Sequence, residues 1–157
     1  MNPSLTHDKR FAMSKFTFIL GLAGSGKSHL AKEMKQKDKD LLIIDDAFHP
    51  VFNKNIYEIN LDKLRQAVNN GFNAVIIEGA FCFKEFRDQM VPYLESLFPQ
   101  VEFEWICFVK DIEKAKKNLH RSDREGRNSE EHEKLNENLN PKYTYPDNCQ
   151  IIPIFNE

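Results

Sequence analysis

Eight residues near the start of the chain, Gly21-Leu22-Ala23-Gly24-Ser25-Gly26-Lys27-Ser28, restrict its fold more than any other stretch. An apolar run, Phe16-Thr17-Phe18-Ile19-Leu20, leads into them, and the helix-like stretch Lys27–Lys37 leads out. A strand that stops at a Gly-rich turn lets successive backbone N–H groups point into one concavity. The helix that follows adds its positive N-terminal end. Glycine allows the backbone angles and the close approach that such a turn needs. The spacing G-x-x-x-x-G-K-[ST] therefore describes a phosphate cradle. Its lysine reaches the β- and γ-phosphates, and its hydroxyl holds Mg²⁺. Gly21, Ala23, Gly24, Ser25, Gly26, Lys27, Ser28 and His29 are the candidate residues for a nucleoside triphosphate, with Lys27 also a catalytic candidate.

A chain of 157 residues makes one domain and buries about two-thirds of its unfolded surface. A net charge of −2 gives no global basic field to attract nucleic acid or anionic membrane. Cys82, Cys107 and Cys149 have no C-x-x-C spacing and fit a reduced compartment better than a disulfide framework. The apolar runs are too short to span a bilayer, and the first residues lack the apolar core of a signal peptide. The expected location is the cytoplasm, with no membrane partner.

Residues 1–14 read as a loose extension and 15–157 as a single domain. Beyond the loop, apolar runs and helical periodicity alternate. Leu41-Leu42-Ile43-Ile44 is a strand ending in Asp45-Asp46, and a helix is expected over 61–70. Ala74-Val75-Ile76-Ile77 is a third strand ending in Glu78-Gly79. A helix follows over 84–97, a strand over 103–109 and a helix over 112–120. The polar stretch 121–148 comes next, then a short strand from Gln150. Continuous apolar strands separated by helices mean a parallel sheet covered on both faces. Ligands of such sheets bind at the carboxyl ends of the strands. Topology thus brings the loop, Asp45-Asp46 and Glu78 to one edge.

The acids at that edge supply two chemistries. Asp45 or Asp46 is placed to accept a proton from a substrate hydroxyl, the other serving as a turn former. Glu78, with Ser28, is the candidate metal side, since an acid there orients Mg²⁺ through water. Arg121 and Arg124 continue a basic helix face begun by Lys114 and Lys117, and arginine suits transferring phosphate through its planar fork. Glu113, Asp123 and Glu125 also fit that face as a solvated, paired stripe. Arg87 reads equally as an anion ligand or as surface. Phe48, Phe52, Phe81 and Phe83 either wall a ring-shaped substrate or pack the core. None of the five histidines has metal-ligand spacing.

On these residues the chain resembles small P-loop kinases, the group that includes nucleotide kinases, polynucleotide kinase, zeta-toxin-like kinases and chloramphenicol phosphotransferase. The resemblance spans residues 16–155. It implies an α/β three-layer αβα fold with a five-stranded parallel sheet of order 2-3-1-4-5 and a lid, here over 121–148. It also implies ATP and Mg²⁺ as cofactors and a γ-phosphoryl transfer. In polynucleotide-kinase-like members the acid after the second strand is the base, which maps to Asp45 or its neighbour. Lys116-Lys117-Asn118-Leu119-His120-Arg121 resembles the segment that carries their lid arginine, which makes Arg121 the best match. Ala47-Phe48 stands where an arginine often follows the paired acids, so a small-molecule or nucleotide acceptor is favoured over a nucleic-acid 5′ end.

The alternative is a P-loop ATPase or nucleotide switch with no acceptor. A guanine switch would need Asn-Lys-x-Asp, and Asn53-Lys54-Asn55-Ile56 fails at the acid. Asp123-Arg124-Glu125-Gly126 matches D-x-x-G without a preceding strand.

Overall fold

The structure is a computed structural model that describes residues 13–45, 54–120 and 129–155. In chain order its elements are β1 (Lys15–Leu20), α1 (Lys27–Lys37), β2 (Leu42–Asp45), α2 (Lys54–Asn69), β3 (Ala74–Ile77), α3 (Lys84–Leu97), β4 (Glu102–Phe108), α4 (Ile112–Leu119), α5 (Ser129–Leu139) and β5 (Gln150–Ile152). Single 3₁₀ turns occupy Gly79–Cys82 and Asn140–Lys142. All strand pairs are parallel, in the order β2-β3-β1-β4-β5. This is the three-layer αβα architecture expected from the alternation of strands and helices.

β1 is central and β3 is wholly buried, so both read as continuous apolar runs rather than alternating ones. On one face Phe16 and Phe18 meet an aromatic layer of Phe81, Phe98, Phe103 and Trp105, with Phe18 and Trp105 stacked 4.3 Å apart. Burial of each such ring stabilises the fold by roughly 1.5–3 kcal/mol. Phe81 is part of this core, and Phe83 is half-buried. Phe48 and Phe52 lie outside the described residues.

Register brings the chemical edge together. Ile77 pairs with both Ile19 and Asp45, so the ends of β1, β2 and β3 lie level. Asp45 is the last residue of its strand, one position further into the sheet than the apolar run indicated. α2 begins at Lys54, well before 61, because Tyr57 and Asn60 are also buried. Ser14 is buried and its carbonyl accepts from the Glu102 N–H, 3.0 Å, so the sheet's hydrogen bonding extends one residue ahead of β1.

The stretch 121–148, read as polar and without elements of its own, holds α5 and a firm anchor behind it. Tyr143 is 1% exposed, donates its hydroxyl to the Phe108 carbonyl at 2.7 Å, and bridges to Phe83. The Thr144 N–H donates to the Cys82 carbonyl, 3.1 Å. Among the described residues no helix is long and apolar enough to cross a membrane.

Candidate active site

The loop between β1 and α1 is shaped by what holds its carbonyl groups. Lys27 Nζ donates to the Gly21 carbonyl at 2.7 Å and to that of Leu22 at 3.3 Å, and the Ser25 N–H also donates to Leu22, 3.1 Å. Asn136 Nδ2, from α5, donates to the Ala23 carbonyl at 2.9 Å. Asn118 Nδ2, from α4, donates to the Gly24 carbonyl at 2.8 Å. The Phe155 N–H donates to the Ser25 carbonyl at 2.9 Å, and the Leu30 N–H to that of Gly26 at 2.9 Å. Six successive carbonyls are thus engaged. A peptide plane points its C=O and the next N–H in opposite directions. Fixing the carbonyls of Ala23, Ser25 and Gly26 therefore fixes the N–H directions of Gly24, Gly26 and Lys27.

Two glycines are required by this wrapping. Gly24 has φ +88°, and a Cβ there would sit 2.6 Å from the Ala115 carbonyl oxygen. Gly26, at φ +107°, caps α1 in a left-handed conformation, with Phe155 Cβ 2.5 Å from where its own Cβ would be. Ser25 is fully buried and its hydroxyl has no partner among the described residues, so the contacts it makes there are those of its backbone. His29 turns its ring outward, pairing with Glu33 at 2.8 Å and lying tilted against Phe155 with ring centroids 4.0 Å apart. Beneath the loop, burial pushes the Cys82 thiol up, while the nearby Lys27 ammonium acts in the opposite sense.

At the mouth, Ser28 Oγ donates to Asp45 Oδ2 at 2.8 Å. A hydroxyl and a carboxylate oxygen in contact form an oxygen pair of the kind a hard cation takes. No cluster of three His, Cys, Asp or Glu side chains capable of holding a metal occurs among the described residues. Magnesium does not need such a cage, since it keeps several waters. Glu78 follows Ile77 on the neighbouring strand and caps the 3₁₀ turn, its Oε1 accepting from the Ala80 N–H at 3.2 Å. A Cβ on Gly79 would meet nothing within 4 Å, so the edge is open beside Glu78.

The structure brings Gly21 to His29, Asp45 and Glu78 to one edge. Asp46, Arg121 and Arg124 lie outside the described residues. Arg87 is not the surface residue that one of its sequence readings made it. It is 7% exposed, and its guanidinium donates to the carbonyls of Phe81 and Thr144 and to Thr144 Oγ1, at 2.8–2.9 Å. It lines a cleft of about 390 Å³ with Trp105 and Tyr145, a cleft that shares no residue with the loop. Asn118, Asn136 and Phe155 carry no signal in the sequence. Polar residues on charged helices read as solvent-facing, and their partners lie far along the chain. The hydrogen bond between Ala23 and Asn136 spans 113 residues.

α4 and α5 are tied to each other beside the loop. Glu133 accepts from Lys116 at 3.1 Å and meets His120 Nε2 at 2.8 Å, and Ser129 Oγ donates to the Leu119 carbonyl. The contact with His120 and then that with Lys116 hold the Glu133 carboxyl below its usual range.

No protein-family model matches the chain. An uncharacterised protein of Acanthamoeba polyphaga mimivirus, R277, is 26% identical over 101 residues, 64% of this chain and 67% of that protein. A gluconokinase from Sinorhizobium meliloti 1021 superposes with a TM-score of 0.56 at 14% identity, over 94% of this chain and 85% of the other. The protein APE1195 superposes with a TM-score of 0.52 at 18% identity, over 92% and 86%. The likeness to these structures is one of architecture: the chain shares their fold.

Proposed function

We propose that this protein is an ATP-dependent kinase that moves the γ-phosphoryl group to a nucleoside, a nucleotide or another small hydroxyl or phosphate acceptor. The observation that carries the reading is the contact of Ser28 Oγ with Asp45 Oδ2, level with a lysine-bearing loop on a kinase-like fold. The loop N–H groups from Gly24 to His29 bind the phosphates. Lys27 leaves the Gly21 and Leu22 carbonyls for the phosphate oxygens, where negative charge grows during transfer. Ser28 and Asp45 would hold Mg²⁺, with Glu78 an outer partner through water. The ion would neutralise phosphate charge.

In the transfer, an acceptor oxygen bonds to the γ-phosphorus as the bond to the β–γ bridging oxygen breaks. ADP leaves, and the acceptor's proton passes to Asp46, since Asp45 is given to the metal. Arg121 and Arg124 would complete the charge clamp from the part of the chain between α4 and α5, at the head of the 121–148 stretch. The open edge at Gly79 admits a small acceptor. The gluconokinase likeness makes polyhydroxy acids a reasonable class to include beside nucleosides and nucleotides.

A transfer screen with γ-labelled ATP and Mg²⁺ tests this, against nucleosides, nucleotides, small polyols and sugar acids, and 5′-hydroxyl oligonucleotides. Transfer to one acceptor class, well above hydrolysis, is expected, and EDTA should abolish it. Lys27→Ala should lower kcat by about 10²-fold or more while leaving the fold intact. Hydrolysis with no acceptor would select the ATPase or switch reading. Full turnover by folded Lys27→Ala would remove the site from the loop.

A further inference from the structure

We propose that Asn136 is a positioning residue of the phosphate loop, gripping Ala23 from both sides so that the Gly24 N–H is held toward the phosphates. The inference rests on the loop being a nucleotide site. Asn136 Oδ1 accepts from the Ala23 N–H at 2.8 Å, and its Nδ2 donates to the Ala23 carbonyl at 2.9 Å. A primary amide is suited to this, since it offers an acceptor and donors on one planar group. Each bond fixes one peptide plane. The first fixes the plane of Leu22 and Ala23, the second that of Ala23 and Gly24. With the Ala23 carbonyl turned toward α5, the Gly24 N–H must point the other way.

Asn136 is 2% exposed, while Leu135 beside it is 56% exposed. α5 therefore fully buries a polar residue and leaves a large apolar one in solvent. That inversion is costly unless the amide is satisfied, and the loop backbone satisfies it. Simple docking of a helix would place Leu135 inward. α4 works alongside: Asn118 Nδ2 grips the next carbonyl, Gly24, and also that of Phe155 at 2.8 Å. The Ser129–Leu119 bond and the Lys116–Glu133–His120 group join the two helices into one jaw. Two asparagines thus orient three consecutive peptide groups of the loop.

The test uses the full chain with three substitutions. Asn136→Ala removes both bonds, and Asn136→Ser keeps a polar group should the alanine variant fold poorly. Leu139→Ala, on the same helix but without a bond to the loop, is the control for general loosening. Amide exchange over residues 22–26 is followed in the protein alone, and Mg²⁺·ATP affinity by calorimetry. Both Asn136 variants should exchange faster there and bind about tenfold more weakly, the worth of one lost oriented donor. Leu139→Ala should lower the melting temperature and keep its affinity within about twofold. Unchanged exchange in the Asn136 variants would overturn the proposal. So would an affinity loss in Leu139→Ala equal to theirs, which would mean that Asn136 acts through stability alone. If the unaltered protein binds no Mg²⁺·ATP, the nucleotide reading itself falls, and with it the role in orienting Gly24. Faster exchange would then report only a structural clasp.

Discussion

Gly24 and Gly79 show how differently two residues of one type can be constrained. Gly24 adopts φ +88°, and an added methyl would collide with the Ala115 carbonyl, which belongs to the backbone and cannot rotate aside. Gly79 has open space around the same position. Gly24→Ala should therefore lose roughly 1–3 kcal/mol of stability from the strained backbone alone, and nucleotide affinity with it. Gly79→Ala should stay within about 0.5 kcal/mol of the parent. Denaturant unfolding of the two variants, side by side, checks this. The loop was legible in the sequence for the same reason: its geometry demands residue types that are rare elsewhere. Asp45 was legible because strand ends at a parallel sheet's carboxyl edge collect function. Which of Asp45 and Asp46 faces the phosphate edge was not, because consecutive strand residues alternate sides and their orientation is set by tertiary register. Arg87 was read as ligand or surface, since an arginine on an amphipathic helix shows its charge and hides its partners. Those partners are the Phe81 carbonyl, six residues back, and Thr144, 57 residues ahead.

At the scale of elements, the strands and most helices follow from periodicity, whereas α5 does not. Its sequence, Ser129–Leu139, offers Leu135 and Leu139 as its large apolar residues, and Leu135 is exposed. No apolar stripe announced it because polar contacts hold it. This makes the α4–α5 pair sensitive to acid. Glu133 is 22% exposed and faces Lys116 on α4 and His120, which caps that helix, with Glu113 and Glu137 near Lys116. Its carboxyl is held below the usual range in the fold. A depressed carboxylate contributes stability above its unfolded value, and that contribution fades as pH falls through the folded one. Amide protection in α5, measured against the intrinsic exchange rate at each pH, should therefore fall below about pH 4. Glu133→Gln should flatten the dependence and exchange faster at neutral pH. A profile identical to the parent's would show that the carboxylate does not join the helices.

The whole molecule is held by contacts between its first third and its last. Tyr143 anchors the segment behind α5, and burial pushes its phenol well above the ordinary range, so the hydroxyl stays a donor across accessible pH. Tyr143→Phe leaves the Phe108 carbonyl unpaired in the core and should cost about 1–3 kcal/mol, read as a lower denaturant midpoint with an unchanged slope. The sheet order places β1 between β3 and β4, so its immediate neighbours come from later in the chain. The wrapping of the loop by Asn118, Asn136 and Phe155 extends this to a matter of timing. A ribosome delivers residues 21–28 early and Phe155 late. At about 5–20 residues per second the interval is on the order of ten seconds. Throughout it, the nascent chain carries the letters of a phosphate motif without the partners that give the motif its shape. The loop takes its shape only once Asn118, Asn136 and Phe155 have been delivered, so a chain stalled before them carries the motif without its geometry.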